Sequence, residues 1–238
     1  MKKNYLAGLV LGLFLFCANG TAQATNMIIS GVFDGPLEGG TPKAIEFYVL
    51  NDIADLSIYG FGSANNGGGT DGEEFTFSGS ATAGDFLYVA SEEPFFNTFF
   101  GFTPSFISGA TNINGDDAIE LFENGSVVDV FGDINVDGTG QPWEYLDGWA
   151  YRNNNTGGSN STTFDISEWF FSGPNALDNE STNSSSSTPF PLGTYSMTSA
   201  ESEPAPTTSS VPEPATLVLF GSGLLGLACL RRPTLHSK

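Results

Sequence analysis

Cysteine and histidine are nearly missing from this chain of 238 residues. Cys17, Cys229 and His236 lie close to its two ends, so the stretch from Thr25 to Ser210 contains neither residue. That stretch therefore lacks thiolate and imidazole metal ligands, a cysteine nucleophile, the histidine of a serine–histidine–aspartate triad, and any disulfide bond. This composition still allows the binding of hard cations through carboxylates, or a protein with no chemical activity.

Basic residues are also scarce. Between Thr25 and Ser210 only Lys43 and Arg152 are basic, against twenty-six acidic residues, which gives this stretch a formal charge of −24. Binding to nucleic acid depends on lysine and arginine contacts to phosphates, so we expect no nucleic-acid partner. Such an acidic chain is expected to stay soluble and to repel copies of itself unless divalent ions bridge them.

The N-terminus has the three parts of a secretory signal peptide. Lys2-Lys3 forms a basic region, residues 6–16 form an apolar region, and Ala22-Gln23-Ala24 matches the small-residue cleavage site. Cleavage after Ala24 would remove residues 1–24. We therefore expect the remainder of the chain to be exported.

A second terminal signal occupies residues 211–238. Val211-Pro212-Glu213-Pro214 is a stiff, helix-breaking tetrapeptide, the uncharged run over 215–230 predicts a transmembrane helix, and Arg231-Arg232 closes that run. As an α-helix the run reaches roughly 24 Å, so its flanks must snorkel or the bilayer must thin. The arginines would lie on the cytoplasmic side, which leaves the middle of the chain outside the cytoplasm.

This C-terminal pattern resembles the PEP-CTERM sorting signal of Gram-negative bacteria, from Val211 to Arg232. The resemblance implies that an exosortase, a membrane transpeptidase, reads the motif and cuts near it. The chain would then pass from an inner-membrane-anchored intermediate to the cell surface or to an exopolysaccharide matrix. An ordinary membrane anchor is the alternative, but it has no need of Pro-Glu-Pro. Glu213 would belong to the recognised motif and would not be a catalytic acid.

Between the two signals, the pattern predicts an all-β domain over residues 25–196, followed by a Ser/Thr/Pro-rich linker over 197–210. One short helix is predicted over Glu92–Phe100, with Ser91 as its N-cap and its phenylalanines capping the core. The predicted strands cover Met27–Phe33, Ala44–Leu50, Asp55–Phe61, Phe75–Phe77, Phe86–Ala90, the two arms flanking Asn124-Gly125, and Thr188–Tyr195.

Asn124-Gly125 predicts a type I′ hairpin turn. A regular two-residue turn sets Glu120 directly opposite Asp129. Like charges in cross-strand register are destabilising, so we expect Lys43, Arg152, a cation or water to neutralise the pair.

Four segments together resemble the lamin-tail-like domain. They are Lys43–Val49, Asn114–Gly132, Trp149–Arg152 and Phe164–Trp169, and the resemblance spans nearly the whole middle of the chain. It implies an immunoglobulin-like β-sandwich of the kind found in nuclear lamins and in many secreted bacterial proteins. Such domains are treated as binding or structural modules, and no catalytic residues come with the family.

One loop matches the spacing of a calcium-binding loop position for position. Its ligands would be Asp133, Asn135, Asp137, the Thr139 carbonyl and Glu144. No helices flank the loop, and so many acids make chance matches common. An acidic inter-strand loop is therefore the alternative to a calcium site.

These observations predict a non-enzymatic exported surface or matrix protein. The alternatives are a calcium- or carbohydrate-binding adhesion module and, less favoured, a carboxylate-based hydrolase. A hydrolase should show a cleft with two carboxyl groups, one of them buried beside apolar walls, whereas a coat module should show only exposed acids. Carbohydrate binding would use exposed Trp143 or Trp149.

Overall fold

The structure is a computed structural model and describes residues 24–198. The predicted sorting signal and nearly all of the predicted signal peptide lie outside this range. No helix within residues 24–198 is long and apolar enough to cross a membrane. The helices and strands are β1 (Met27–Leu37), β2 (Thr41–Val49), β3 (Tyr59–Ala64), β4 (Phe75–Thr76), β5 (Phe86–Ala90), α1 (Glu93–Phe100), β6 (Phe106–Ile107), β7 (Ala118–Glu123), β8 (Ser126–Phe131), β9 (Gly148–Arg152) and β10 (Trp169–Phe171).

The strands form two sheets. The larger has the order β10-β9-β1-β2-β5-β6, and the smaller has the order β4-β3-β7-β8. All neighbours are antiparallel except β5 and β6. The predicted all-β class with one short helix is confirmed, and the two sheets are consistent with a β-sandwich.

The core between the sheets follows the alternation of side chains along each strand. In β2, Ile45, Phe47 and Val49 enter this core, as their spacing predicts. They meet Phe61 of the smaller sheet, whose ring centroid lies 5.5 Å from that of Phe47. The core is rich in aromatic rings, which supply large buried apolar areas.

The outer face of the larger sheet is buried as well, under a second apolar cluster. Helix α1 and the segment of residues 187–197 cover it. There Phe99 and Phe190 pack against Phe33, and Phe190 also packs against Trp149. The prediction that α1 caps the core between the sheets is therefore wrong. The helix follows directly from the end of β5, which leaves it on the outside of its own sheet.

Several predicted elements differ in extent from the observed ones. The predicted strand over Asp55–Phe61, for example, begins only at Tyr59, after a 3₁₀ turn over Leu56–Ile58. The N-cap of α1 is Glu92 and not Ser91, because the longer Glu92 side chain accepts a hydrogen bond from the Phe95 N–H at 2.8 Å. The predicted strand over Thr188–Tyr195 is absent, since residues 187–197 form no strand. Their backbone is held by side chains, as described below.

The hairpin of β7 and β8 corrects the predicted register. Asn124 and Gly125 both have positive φ, as a type I′ turn requires. A β-bulge then makes Val128 an extra residue, so Asp129 lies opposite Leu121, and Glu120 lies opposite Val130. The predicted Glu120–Asp129 pairing is wrong. The bulge moves Asp129 to the inner face, away from the Glu120 carboxylate.

Candidate functional site

The bulge places Asp129 opposite the guanidinium of Arg152 in the other sheet. The Arg152 Nη2 lies 2.7 Å from Oδ2 and 2.8 Å from Oδ1 of Asp129, and Nη1 lies 2.7 Å from Glu168. The Asp129 carboxylate also accepts the Ile29 N–H at 2.8 Å. Of the neutralising groups that we expected, Arg152 is the one that pairs with Asp129. This is a buried bridge between two sheets.

A second buried carboxylate, Glu46, lies on the outer face of β2. Its Oε1 accepts hydrogen bonds from Ser30 Oγ at 2.7 Å and from the Tyr151 hydroxyl at 2.8 Å. Its Oε2 accepts the backbone N–H of Gly193 at 2.8 Å. Burial raises the pKa of Glu46, and these hydrogen bonds oppose the rise.

Glu46 and Tyr151 together hold residues 187–197, which we call the strap. The Tyr151 oxygen accepts the N–H groups of Thr194 at 3.0 Å and Tyr195 at 2.9 Å. The Tyr195 hydroxyl donates to the Thr156 carbonyl at 2.7 Å. The strap thus satisfies its backbone without a β-ladder, which explains why strand periodicity misleads there.

A third buried carboxylate, Asp34, forms an ion pair with Lys43. The two residues are cross-strand partners on β1 and β2, and Lys43 Nζ lies 2.6 Å from Asp34 Oδ1. Burial raises the pKa of Asp34 to about 6, although Lys43 opposes this rise. Neither residue was among the predicted site residues.

Asp34 and Asp147 line one surface groove of about 500 Å³. The Asp147 N–H donates to Asp34 Oδ2 at 3.2 Å, and Asp147 has a φ of +41°, which is unusual for a residue other than glycine. Burial and the Asp178 charge raise the pKa of Asp147. The apolar walls of the groove include Leu37 and Leu146.

This groove matches part of the arrangement expected of a hydrolase, namely two carboxyl groups with one of them buried. The Asp34 carboxylate is poorly accessible to a substrate, however, because the residue is only 1% exposed and both of its carboxylate oxygens accept hydrogen bonds within the protein. The pattern expected of a coat module, with only exposed acids, is not what the described residues show. The buried acidic residues are Asp34, Glu46, Asp117, Glu120 and Asp129.

The predicted calcium ligands lie on an exposed loop and close its turns. Asp133 accepts the Asn135 N–H at 3.0 Å, Asp137 accepts the Thr139 N–H at 2.9 Å, and Glu144 accepts the Gly140 N–H at 2.9 Å. Within residues 24–198, no three acidic, cysteine or histidine side chains are grouped so as to hold a metal ion. Calcium binding stays a prediction, and this geometry does not support it.

The tryptophans predicted to bind carbohydrate are buried. Trp143 is 5% exposed, Trp149 is 4% exposed, and the Trp149 Nε1 donates to the Thr188 carbonyl at 2.9 Å. Trp143 packs on Phe131 in the core between the sheets. Neither indole has enough exposed surface to stack on a sugar ring, so the version of the carbohydrate hypothesis that uses them is wrong.

The remaining predicted site residues belong to the two terminal signals. The sorting residues are Val211, Pro212, Glu213, Pro214, Arg231 and Arg232, and they lie outside residues 24–198. Ala22 of the predicted cleavage site also lies outside, whereas Ala24 is exposed at the edge of the described range.

Comparison with known proteins gives one family match. A model of the PEP-CTERM protein-sorting motif matches residues 210–232. No curated protein and no solved structure matches the chain significantly. The predicted sorting signal is thus confirmed as a motif, and it implies export, processing at the membrane and a location at the cell surface or outside the cell.

Proposed function

We propose that this chain is a non-enzymatic surface or extracellular-matrix protein of a Gram-negative bacterium, delivered by an exosortase. The sorting motif at residues 210–232 is the single observation that carries this proposal. The helix over 215–230 would hold the chain in the inner membrane until the motif is cut. A signal peptide over 1–24 would start the export.

The sandwich would act as the binding or structural part of the protein. Its two sheets, and the resemblance of Lys43–Val49 and Asn114–Gly132 to lamin-tail segments, support an immunoglobulin-like module. Its buried acids support a structural role, because Arg152 pairs with Asp129 and Lys43 pairs with Asp34. Both carboxylates are buried and ion-paired, which favours a structural role over a catalytic one.

Cell fractionation tests the proposal. The tagged protein is followed in cells with and without the exosortase, and antibodies to the sandwich and to the segment around Arg231-Arg232 are compared. With the exosortase, we expect the sandwich in the surface or matrix fraction without the arginine segment. Intact protein in the cytosol of both strains would contradict the proposal.

The Asp34 groove favours a second candidate, a carboxylate-based hydrolase. The purified chain would then cleave some glycan in a reaction that Asp34→Asn abolishes, since this variant keeps the shape of the side chain and removes its charge. We expect no turnover with a panel of glycans. Cleavage that depends on both Asp34 and Asp147 would replace the first proposal with the second.

A further inference from the structure

Phe170 is the most exposed large apolar side chain within residues 24–198, with 61% of its surface accessible. It lies on the edge strand β10, opposite Tyr151, and therefore on the outer face of the larger sheet. Its ring leans on Trp149, with 5.7 Å between the centroids and 36° between the planes. The hydrogen bond from Trp149 Nε1 to Thr188 fixes the indole, which supports the Phe170 ring from behind.

A surface cleft of about 260 Å³ opens beside this ring. Its apolar walls come from Phe170, Trp149, Tyr151 and Pro191, and the strap contributes Thr194. The volume is below the range of about 300–1,000 Å³ typical of pockets for drug-sized ligands. The cleft therefore suits a single small ring and not a large cofactor.

Two asparagine side chains complete the cleft. Asn153 Nδ2 donates to the Ser167 carbonyl at 3.1 Å, and Asn154 Oδ1 accepts the Ser196 N–H at 2.9 Å. One hydrogen bond therefore fixes the orientation of each side-chain amide, through the NH₂ group of Asn153 and through the carbonyl oxygen of Asn154. The other end of each amide, an acceptor on Asn153 and a donor on Asn154, remains for a ligand.

Charge narrows the class of ligand. The residues that line the cleft include no acid, and the one cation among them, Arg152, is paired with Asp129 and Glu168 at 2.7 Å. A cationic ligand would be attracted by the negative charge of the whole stretch but would find no counter-charge in the cleft to hold it there. An anionic polymer would be repelled by a stretch whose formal charge is −24.

We propose that this cleft binds a single unit of a neutral polysaccharide. The C–H face of a pyranose ring would stack on Phe170, and its hydroxyl groups would bond to the amides of Asn153 and Asn154. Binding by one cleft would be weak, and many copies on a surface would strengthen it by multivalency. This proposal gives the surface protein proposed above a class of ligand. The biological role of the binding rests on that proposed function, but the binding itself does not.

Affinity electrophoresis of the purified full chain in native gels tests the assignment. The gels contain dextran, hydroxyethylcellulose or galactomannan as neutral polymers, and polygalacturonate as an anionic one. We expect at least one neutral polymer to retard the wild type and polygalacturonate to have no effect. Phe170→Ala should reduce the retardation at least tenfold, whereas Phe170→Trp should retain it.

A matched control is Phe95→Ala, which removes an exposed phenylalanine from helix α1 and should leave the retardation unchanged. Equal melting temperatures of the three variants would show that each is folded. The proposal fails if no neutral polymer retards the wild type, if Phe170→Ala binds equally well, or if only polygalacturonate is bound. It also fails if the wild type is a dimer that Phe170→Ala converts to a monomer. Each result is independent of the fractionation experiment, which tests sorting and not binding.

Discussion

Arg152 joins the two sheets through one guanidinium group. It pairs with Asp129, donates through Nε to the Ile29 carbonyl at 2.7 Å, and lies 4.5 Å from the centre of the Trp169 ring. Removing one partner of a buried ion pair leaves an uncompensated charge in a low-dielectric interior. The bridge is therefore sensitive to single substitutions even where its net contribution to stability is small.

We expect Asp129→Asn to lower the free energy of unfolding by about 3–5 kcal/mol, because Arg152 then lacks its buried counter-ion. Glu168→Gln removes the other carboxylate, whose side chain is 33% exposed, and should cost below about 1 kcal/mol. Urea denaturation of both variants measures the difference. Equal costs for the two variants would show that Asp129 has no special role.

The position of Asp129 could be predicted only in part from the sequence. The turn at Asn124-Gly125 was predictable from local rules, whereas the need to neutralise Asp129 was inferred from a pairing with Glu120 that does not form. The bulge at Val128 was not predictable, because the partner that makes it favourable lies on β9 of the other sheet. The same holds for Glu46, whose outward position followed from alternation, whereas its burial depends on the strap.

The strap is an element without regular secondary structure that covers part of the outer face of the larger sheet. Its backbone is held at Gly193, Thr194 and Tyr195 by two side chains, and Phe190 is its apolar anchor. A Cβ built on Gly31 would lie 2.5 Å from the Phe190 ring, so glycine at this position makes room for the anchor.

Tyr151→Phe should loosen the strap, because it removes the oxygen that accepts two backbone N–H groups and donates to Glu46. We expect faster amide exchange at Gly193–Tyr195, with the exchange of β7 unchanged. Tyr195→Phe loses the hydroxyl contacts to Thr156 and Met197 but keeps both backbone contacts to Tyr151, so it should raise this exchange less. If exchange rises equally in β7 and in the strap, the tyrosine stabilises the whole fold and not the strap.

Gly31→Ala should destabilise the protein by about 1–3 kcal/mol through overcrowding against Phe190. Phe190→Leu in the same chain should recover part of this loss, since the smaller side chain yields space to the new methyl group. Thermal or urea unfolding of the single and double variants gives the interaction free energy between positions 31 and 190. Strictly additive costs would mean that the two side chains do not compete for this space.

The molecule as a whole has a predictable response to pH. Burial raises the pKa of Asp34 to about 6 and raises those of Glu46, Asp117 and Asp147. A raised pKa means that the native state binds protons more tightly than the unfolded state. Each of these carboxyl groups therefore stabilises the native state fully at pH values below its unfolded pKa near 4. This stabilisation is lost as the pH rises through the pKa of the folded state.

We therefore expect the melting temperature to rise as the pH falls from 8 to 5, with Asp34 contributing about 1.4 kcal/mol by pH 5, roughly half of the contribution that its full pKa shift represents. At lower pH the trend should reverse, because the exposed carboxyls of Asp55, Asp137 and Asp165 have lowered pKa values and lose their stabilising hydrogen bonds on protonation. Asp34→Asn should flatten the rise between pH 7 and 5. A melting temperature that falls steadily from pH 8 to 5 would contradict this assignment.

Much of the architecture was predictable from periodicity. The face of Ile45, Phe47 and Val49, the strand Phe86–Ala90 and the short helix follow from local patterns, as does the sorting motif. The Asp34 groove was not predictable, because β1 and the loop at Asp147 are distant in sequence. Spacing within one segment cannot reveal groups that only the packed sheets bring together.

The ion pairs of Lys43 and Arg152 have a consequence for how copies of this protein share a surface. Both cations of the exported stretch are enclosed in contacts to their own carboxylates, so neighbouring molecules meet as anions without a basic patch to interlock. Their closest spacing would then follow the screening length, about 8 Å at 0.15 M salt and about 30 Å at 0.01 M. The density of such a coat would be governed by the salinity of the surroundings.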